Sequence, residues 1–226
     1  MVEVYAIKLI ENDEFSRLKD HLLSLLPITS RAFYDNIKSQ SVYQRSLLGE
    51  LLARKAIGSK TGIKIADINI QKSEKGKPYQ MNISNCYFNI SHSGEWVVVG
   101  ISEKETGIDV EHLKKINFGI AERFFSPAEN QDLNLLTGTE KSSYFFELWT
   151  LKESYLKLLG KGLTKSLSSF SILKNGSSFN LWEGKQKISN VFFKQYFLAD
   201  GYKLSICSMD NEFSEKLKTM TITDLF

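Results

Sequence analysis

The chain has few of the residues that hold small secreted proteins together or cross a membrane. It has two cysteines and three prolines in 226 residues, and Cys86 and Cys207 both lie in apolar, strand-like segments. Two isolated cysteines imply neither a disulfide framework nor a cysteine-based metal site. No apolar run approaches the roughly 20 residues that a membrane helix needs, and residues 1–10 lack the pattern of a signal peptide. We therefore expect a cytoplasmic protein that contacts no membrane.

A large excess of one charge is also lacking. There are 29 basic and 26 acidic residues, with a net charge of +3, which is too mild to attract nucleic acid by bulk electrostatics. A chain of this length can form one large or two small domains and bury roughly 70% of its unfolded surface. These properties favour a compact enzyme with no nucleic-acid partner.

Two acids on one short segment form the first candidate metal site. Asp109 and Glu111 lie in the stretch GIDVE at 107–111. On a strand they point to the same face and stand roughly 6.6 Å apart along it. Oxygen ligands suit Mg²⁺ or Mn²⁺ better than Zn²⁺, and Mg²⁺ usually completes its coordination with phosphate and water. The alternative is an amphipathic strand whose acidic face meets water, and this motif alone does not decide between the two.

A long helix is predicted over 142–159. Its apolar stripe consists of Phe145, Leu148, Leu151 and Tyr155, followed by Leu158 or Leu159. Glu153 and Lys157 lie four residues apart on another face, an ordinary helix-stabilising pair worth about 0.2–0.5 kcal/mol. Gly160 ends the helix because glycine tolerates positive φ. A solvated helix face therefore explains this segment as well as a phosphate-binding or metal-binding one does.

The order of three motifs points to a function: GIDVE at 107–111, FFSPAE at 124–129 and WxxKExxxKxxGKG at 149–162. Three further segments fit the same pattern, namely RSLLGE at 45–50, GKP at 76–78 and FNISHSGEW at 88–96. Together they resemble the 4′-phosphopantetheinyl transferases of the two-lobed, surfactin-synthetase-activating type. The resemblance spans about residues 43 to 170.

The resemblance implies an α+β fold of two similar lobes, each a small, mainly antiparallel sheet packed with a long helix, with the active site between them. The residue patterns agree, because both halves have the same element order. The first half reads as a strand at 2–10, a helix at 13–26, a long helix around 47–58 and strands at 66–71, 86–91 and 96–102. The second reads as a strand at 107–111, a capped helix from 126, the helix at 142–159 and strands at 168–173, 179–182, 190–199 and 202–208. Polar residues at 103–106 divide an N-terminal lobe, 1–103, from a C-terminal lobe, 104–226, and two lobes in one chain favour a monomer.

The resemblance also implies transfer of the phosphopantetheinyl arm of coenzyme A to a serine of an acyl or peptidyl carrier protein, with release of adenosine 3′,5′-bisphosphate. The two-lobed type implies service to nonribosomal peptide or polyketide synthesis. Matching motif to motif, Asp109, Glu111 and Glu153 would bind Mg²⁺, and Mn²⁺ suits the same oxygens. Because a serine hydroxyl needs a base to accept its proton, Glu153 is the candidate base, acting directly or through a metal-bound water. Lys157 would bind the pyrophosphate.

The remaining coenzyme A contacts are implied motif by motif. The residues concerned are Arg31, Arg45, Ser46, Lys77, Ser91, His92, Lys152 and Lys157. Arg31 is the only basic residue in the loop at 29–35, where the family often has a basic cluster for the 3′-phosphate, and Lys38 is its alternative. Without the resemblance, His92 would be read as an ordinary histidine at a strand end.

The carrier is expected to dock at the start of the second lobe. The residues concerned are Leu113, Lys114, Lys115, Phe118 and Arg123, whose mixture of basic and apolar types suits an acidic amphipathic helix. The alternative is a solvated loop. Two other functions remain in view, a non-catalytic coenzyme A-binding module and a Mg²⁺-dependent nucleotide hydrolase. The first would have lost a metal carboxylate or Lys157, and the second would carry a GxxxxGK[ST] loop, which this chain lacks.

Overall fold

Two long helices and two antiparallel sheets organise the chain. The computed structural model describes residues 1–160, 165–176 and 178–226. The helices are α1 (Asn12–Ser24), α2 (Ile28–Arg31), α3 (Gln40–Thr61), α4 (Gly119–Phe124), α5 (Pro127–Asn134) and α6 (Gly138–Leu159). The strands are β1 (Glu3–Lys8), β2 (Ile70–Lys72), β3 (Pro78–Gln80), β4 (Tyr87–Ser93), β5 (Trp96–Ser102), β6 (Thr106–His112), β7 (Phe170–Asn175), β8 (Ser178–Glu183), β9 (Gln186–Ile188), β10 (Phe192–Tyr196), β11 (Tyr202–Ser208) and β12 (Lys218–Met220). The fold is α+β, as predicted.

The second half of the chain repeats the topology of the first. In each half a strand, β1 or β6, is followed by a 22-residue helix, α3 or α6. A hairpin then places its second strand, β5 or β11, antiparallel to that first strand. The sheet orders are accordingly β12-β1-β5-β4 and β10-β11-β6. The predicted duplication is confirmed. Strand β12 crosses back to pair in parallel with β1, and the lobe boundary at 103/104 stays a prediction.

The two sheets pack against each other, with a long helix on the outer face of each. Tyr5 and Ile7 of β1 belong to the core beneath α3. Val4 and Ala6, which alternate with them, belong to a core that also contains Ile108 of β6. Since successive strand residues face opposite sides, β1 is buried on both faces. Strands β4 and β6 each form one edge of their sheet. The polar residues between the lobes lie along these two strands.

The long helices end where glycine permits it. Gly62 after α3 has φ 76° and Gly160 after α6 has φ 62°, both in the left-handed region that glycine adopts without steric cost. The first long helix, expected around 47–58, extends from Gln40 to Thr61, so Gly58 lies inside α3. All five residues of the predicted apolar stripe of α6, with Leu158 as the fifth, are buried. The rest of its terminal motif, Lys161 and Gly162, lies outside the described residues.

The shortest elements escaped prediction. The strand expected at 66–71 is instead a turn of 3₁₀ helix at Ile65–Asp67 followed by β2. Strands β3, β9 and β12 have three residues each, too few to show a period of two. The capping box between Ser126 and Glu129 is present at the start of α5, as predicted. Among the described residues, no helix combines the length and apolarity required to span a bilayer.

Candidate functional site

A glycine of β6 lets α6 lie directly against the strand. A Cβ atom at Gly107 would stand 2.1 Å from the Ser154 carbonyl oxygen and 2.3 Å from the Leu158 nitrogen. These are backbone atoms of α6, so any side chain at 107 would push the helix away. Asp109 and Glu111 share the strand face of Gly107. The close approach therefore brings both acids beneath α6.

Asp109 is the most buried of the three predicted metal-binding acids. The residue is only 5% exposed. Oδ1 accepts hydrogen bonds from Ser91 Oγ at 3.1 Å and from Lys157 Nζ at 2.6 Å. Burial raises the pKa of Asp109, and the Lys157 charge and hydrogen bond oppose that rise. Lys157 thus binds the acid of β6 and does not form the simple intrahelical pair with Glu153.

Two further carboxylates complete the acidic cluster. Glu111 Oε2 accepts a hydrogen bond from Ser93 Oγ at 2.9 Å. Glu153 forms no hydrogen bond or ion pair with the part of the chain that the structure describes. Burial raises the pKa of both groups, and repulsion from Asp109 raises it further. The three acids lie close enough to repel one another. The strand face with Asp109 and Glu111 and the helix face with Glu153 are both partly buried, so neither is a fully solvated surface.

The donor chemistry of this cluster fits a hard divalent cation. All its candidate ligand atoms are carboxylate oxygens, which Mg²⁺ prefers. Asp109 Oδ2 is buried and has no hydrogen-bond partner among the described residues, which is costly for a carboxylate unless a cation compensates. As the side chains stand, no three His, Cys, Asp or Glu residues in the described parts of the chain are disposed to hold a metal. Metal binding by Asp109, Glu111 and Glu153 remains a proposal.

Side chains of β4 join the two lobes across the site. Three of them accept hydrogen bonds from backbone N–H groups of β6, where neighbouring strands of one sheet would use carbonyl groups. The pairs are Asn89 with Ile108 at 3.0 Å, Ser91 with Val110 at 3.3 Å and Ser93 with His112 at 3.0 Å. We call these three pairs the β4–β6 ladder. Sequence analysis missed Asn89 and Ser93, although their alternation with Ser91 could have placed all three on one face.

A cavity of about 710 Å³ opens between α3, the segment around β2 and the end of β4. Arg45, Ser46 and His92, three of the residues predicted to bind coenzyme A, line this cavity. Lys72, which sequence analysis did not name, lines it as well. Arg45 Nε is buried without a hydrogen-bond partner among the described residues. Partial desolvation and the charges of Arg45 and Lys157 lower the pKa of His92. The cavity is thus set up for an anionic ligand, and a bound phosphate would raise that pKa.

Two of the predicted coenzyme A contacts are used elsewhere. Arg31 donates from Nε to the Leu26 carbonyl at 3.0 Å and from Nη2 to the Ser24 carbonyl at 2.8 Å, satisfying the end of α1. Lys77 Nζ donates to the Leu158 carbonyl at 3.1 Å and to Glu105 Oε2 at 3.3 Å. Neither residue lines the 710 Å³ cavity, whereas Lys77 lines a second cavity of about 260 Å³. Both side chains stabilise helix ends in this conformation.

The expectation for Lys152 is wrong. Its side chain is fully buried, with Nζ 2.6 Å from Glu129 Oε2 and 2.7 Å from the Phe170 carbonyl. Burial lowers the pKa of Lys152 and Glu129 opposes that shift. A phosphate cannot reach this ammonium without breaking the pair. Lys152 joins α6 to α5 and β7, and it does not line the 710 Å³ cavity.

Replacing Lys152 by methionine is expected to lower the free energy of unfolding by about 3–5 kcal/mol, because Glu129 would keep a buried charge without its partner. Denaturant unfolding measures the loss. The Michaelis constant for coenzyme A, taken on the folded fraction at low temperature, should stay within about twofold. A stable variant with a strongly raised Michaelis constant would instead return Lys152 to the ligand site.

The predicted docking residues form a basic surface over an apolar base. Lys114, Lys115 and Arg123 are exposed. Leu113 and Phe118 are partly buried and pack against the aromatic core of α6. The loop and α4 therefore present charge outward on a fixed support, an arrangement that suits electrostatic steering of a partner.

Comparison with known proteins gives consistent matches along the chain. A family model for the 4′-phosphopantetheinyl transferase superfamily matches residues 105–207, and one for the 4′-phosphopantetheinyl transferase N-terminal region matches residues 16–104. The 4′-phosphopantetheinyl transferase ffp of Bacillus subtilis is 35% identical over 214 residues, covering 95% of this chain and 94% of that protein. The 4′-phosphopantetheinyl transferase Sfp of Bacillus subtilis strain 168 is 36% identical over 181 residues, covering 80% and 81%. A crystal structure of a Bacillus anthracis holo-(acyl-carrier-protein) synthase in complex with CoA (3′,5′-ADP) aligns with TM-score 0.39 at 18% identity, covering 46% of this chain and 92% of that chain.

Proposed function

Since the chain belongs to the 4′-phosphopantetheinyl transferase superfamily, we propose that it transfers the 4′-phosphopantetheine group of coenzyme A to a serine of acyl or peptidyl carrier proteins. The observation that carries this proposal is a cavity of nucleotide size beside an acidic cluster and Lys157. Arg45 and His92 line that cavity. Lys157 forms an ion pair with Asp109 of the acidic cluster. The second product would be adenosine 3′,5′-bisphosphate.

Coenzyme A would bind with its nucleotide in the 710 Å³ cavity. Arg45, Ser46 and His92 offer a guanidinium, a hydroxyl and an imidazole to its phosphates, and the unpartnered Nε of Arg45 supplies a spare donor. Lys157, which already reaches between the lobes, would meet the pyrophosphate. Charge-assisted hydrogen bonds of this kind hold phosphates strongly and fix their orientation.

Asp109, Glu111 and Glu153 would hold Mg²⁺, for which Mn²⁺ is an equivalent on the same oxygens. When bound, such an ion neutralises the charge that develops on the leaving bisphosphate as the bridging P–O bond breaks. The unpartnered, buried Oδ2 of Asp109 is the observation that favours this site. Because Lys157 donates its hydrogen bond to Oδ1 of Asp109, Oδ2 would stay available to bind the ion.

Glu153 would accept the proton of the carrier serine. Burial and two neighbouring acids raise the pKa of Glu153, which makes it a stronger base than an exposed glutamate. It also has no partner among the described residues to release first. The serine oxygen would then bond to the β-phosphorus while the bond to the bisphosphate oxygen breaks. The proton would reach Glu153 directly or through a water.

Addition of Mg²⁺ should stabilise the protein more at pH 7.5 than at pH 5.0. The folded-state pKa values of Asp109, Glu111 and Glu153 are raised. The free energy of unfolding therefore falls as the pH rises from the pKa values of the unfolded state through the raised pKa values of the folded state. A cation binds these carboxylates only when they are ionised. It therefore offsets the lost stability more at pH 7.5 than at pH 5.0. At tenfold excess over its dissociation constant it adds about 1.4 kcal/mol, or about 3–6 °C in Tm.

Scanning calorimetry with and without Mg²⁺ measures this difference. Asp109→Asn should remove the shift at pH 7.5, whereas Glu122→Gln, on the exposed side of α4, should keep it. Equal shifts at both pH values, or a full shift in Asp109→Asn, would remove the acids from metal binding.

Reversing two charges of the basic docking surface should weaken carrier recognition. Lys114→Glu with Lys115→Glu is expected to raise the Michaelis constant for the carrier about 5- to 50-fold at low salt, with little change in kcat or in the Michaelis constant for coenzyme A. Salt should shrink the difference, because exposed charges are screened beyond about 10 Å at 0.1 M. The matched control is Lys185→Glu with Lys187→Glu, on the β8–β9 hairpin. Equal effects of the two double variants would contradict docking at 113–123.

The alternative functions predict different products. A hydrolase would release adenosine 3′,5′-bisphosphate from coenzyme A without a carrier, and a binding module would release none. A transferase releases one bisphosphate per modified carrier. Chromatographic measurement of bisphosphate with and without apo carrier protein therefore tests the proposed function. Release that does not depend on the carrier would contradict it.

A further inference from the structure

The carboxamide oxygen of Asn89 is held by a hydrogen bond, whereas its nitrogen has no partner among the described residues. Asn89 is only 4% exposed, and its Oδ1 accepts the Ile108 N–H at 3.0 Å as the first rung of the β4–β6 ladder. A carboxamide carries its acceptor on one atom and its donors on the other. Because a backbone N–H can only donate, this bond decides which end is oxygen. The amide nitrogen must therefore point away from β6.

That nitrogen faces a second cavity. A cavity of about 260 Å³ is lined by Lys75, Gly76, Lys77, Asn89, Glu153, Leu156, Lys157 and Gly160. Nδ2 of Asn89 makes no hydrogen bond within residues 1–160, 165–176 and 178–226. Among the described residues, the fully buried side-chain atoms without a partner are Arg45 Nε and Asp109 Oδ2. Nδ2 of Asn89 therefore remains accessible from the cavity and can donate to a ligand that enters it.

The second cavity shares no lining residue with the first, and Lys157 lines only the second. Arg45, Ser46 and His92 line the 710 Å³ cavity and none of them lines the smaller one. The wall around Asn89 combines the basic residues Lys77 and Lys157 with the apolar Leu156, which suits a chain that joins a phosphate to amide and apolar groups. A pyrophosphate at Lys157 would therefore have the nucleotide on one side and the transferred arm on the other.

We propose that Asn89 is a substrate-binding residue, whose amide nitrogen donates a hydrogen bond to an oxygen acceptor of the phosphopantetheine half of coenzyme A. This inference rests on the proposed function and adds a contact to the group that is transferred. The ladder fixes the carboxamide before substrate arrives. No side-chain entropy is then lost on binding, as preorganised contacts require.

A purely structural Asn89 would need only its oxygen. Ser91 and Ser93 show that a hydroxyl forms the same rung, with Oγ accepting a β6 N–H in each case. Asn89→Ser therefore keeps an acceptor for Ile108 and replaces the amide nitrogen that faces the cavity by the O–H of a shorter side chain, which reaches less far into the cavity. The variant is neutral, so it adds no charge beside the phosphates. The matched control is Asn82→Ser, at an exposed position in the same lobe.

Two ligands separate the two halves of coenzyme A. Calorimetric titration of wild type, Asn89→Ser and Asn82→Ser should use coenzyme A and adenosine 3′,5′-bisphosphate, which lacks the arm. We expect Asn89→Ser to weaken coenzyme A binding about tenfold, the size of one hydrogen bond to a charged or strongly polar acceptor. Bisphosphate binding should change less than about twofold. Equal weakening of both ligands, or of neither, would overturn the inference.

Failure of the proposed function would look different. A wild-type protein with no measurable affinity for coenzyme A would contradict the function itself. Unchanged affinity in Asn89→Ser would contradict only the role of Asn89. If Asn89→Ser does not fold, the wild-type protein labelled with ¹⁵N-asparagine still decides. The Asn89 side-chain amide signals, assigned through their contact with the Ile108 amide proton, should shift with coenzyme A and stay in place with the bisphosphate.

Discussion

Glu153→Gln is expected to lower kcat for transfer by about 10²–10⁴-fold, the usual contribution of a general base. Glutamine has the size of glutamate but cannot accept the serine proton. It also removes one negative charge from the acidic cluster, where Glu153 and Asp109 repel each other. The fold should be preserved because Glu153 forms no hydrogen bond with the described residues, and coenzyme A binding should stay within about fivefold.

Single-turnover transfer to an apo carrier measures this loss without interference from product release. The control is Glu140→Gln, which makes the same change at an exposed position at the start of α6. It should transfer at the wild-type rate. Turnover by Glu153→Gln within a few fold of wild type would remove Glu153 from the chemistry and leave Asp109 and Glu111 as the only acids of the site.

Gly107→Ala is expected to destabilise the protein by about 3 kcal/mol or more, at the upper end for overpacking. The added Cβ would meet the Ser154 carbonyl oxygen at 2.1 Å and the Leu158 nitrogen at 2.3 Å. Neither can move unless α6 shifts as a whole. Thermal unfolding should show a Tm lower by about 6–12 °C. Transfer by the folded fraction should fall as well, because Glu153 and Lys157 would move away from β6.

Gly119→Ala provides the matched control. At that position, on the first turn of α4, the nearest atom to an added Cβ is the Asn117 side-chain oxygen at 3.3 Å, which can adjust. Its stability should stay within about 0.5 kcal/mol of wild type. If Gly107→Ala proved equally harmless, contact between β6 and α6 would not be what positions the acids.

Periodicity predicted the parts of this fold whose residues repeat. The stripe from Phe145 to Leu158 is long enough to define α6, and the alternation of Asp109 and Glu111 gave both the strand and the shared face. Positive φ at Gly160 was predicted from the residue type alone. Strands of three residues, such as β3 and β12, have no detectable period and form because a neighbouring strand offers hydrogen bonds.

The site was predictable where a residue's type limits its role, and not where packing decides it. The structure brings Arg45, Ser46 and His92 together along one cavity, and their contact with coenzyme A stays a prediction. Lys152 could not be separated from Lys157 by spacing, since both lie on α6, and only the fold shows that Lys152 faces Glu129 in the interior. Arg31 and Lys77 have side chains long enough to reach either a phosphate or a helix end. Which of them they meet depends on tertiary structure.

The β4–β6 ladder connects these observations. Its donors are backbone groups of β6, so the lobes are held together through the same strand that carries Asp109 and Glu111. Ser91 and Ser93 each accept from that backbone and donate to one of these two carboxylates. The inter-lobe junction and the acidic cluster are therefore one structure. The residues that line the 710 Å³ cavity lie in the first half of the chain and the three acids lie in the second, so the ladder joins the two parts of the site.

The most direct measurement is intact mass spectrometry of apo carrier proteins incubated with this protein, coenzyme A and Mg²⁺. The account predicts that carrier mass rises by one phosphopantetheinyl group, that a serine-to-alanine carrier stays unmodified and that a chelator stops the reaction. It also predicts that Glu153→Gln leaves the carrier unmodified over the same time. Carriers that keep their apo mass with wild-type protein, or that gain the group equally well in the presence of the chelator, would contradict it.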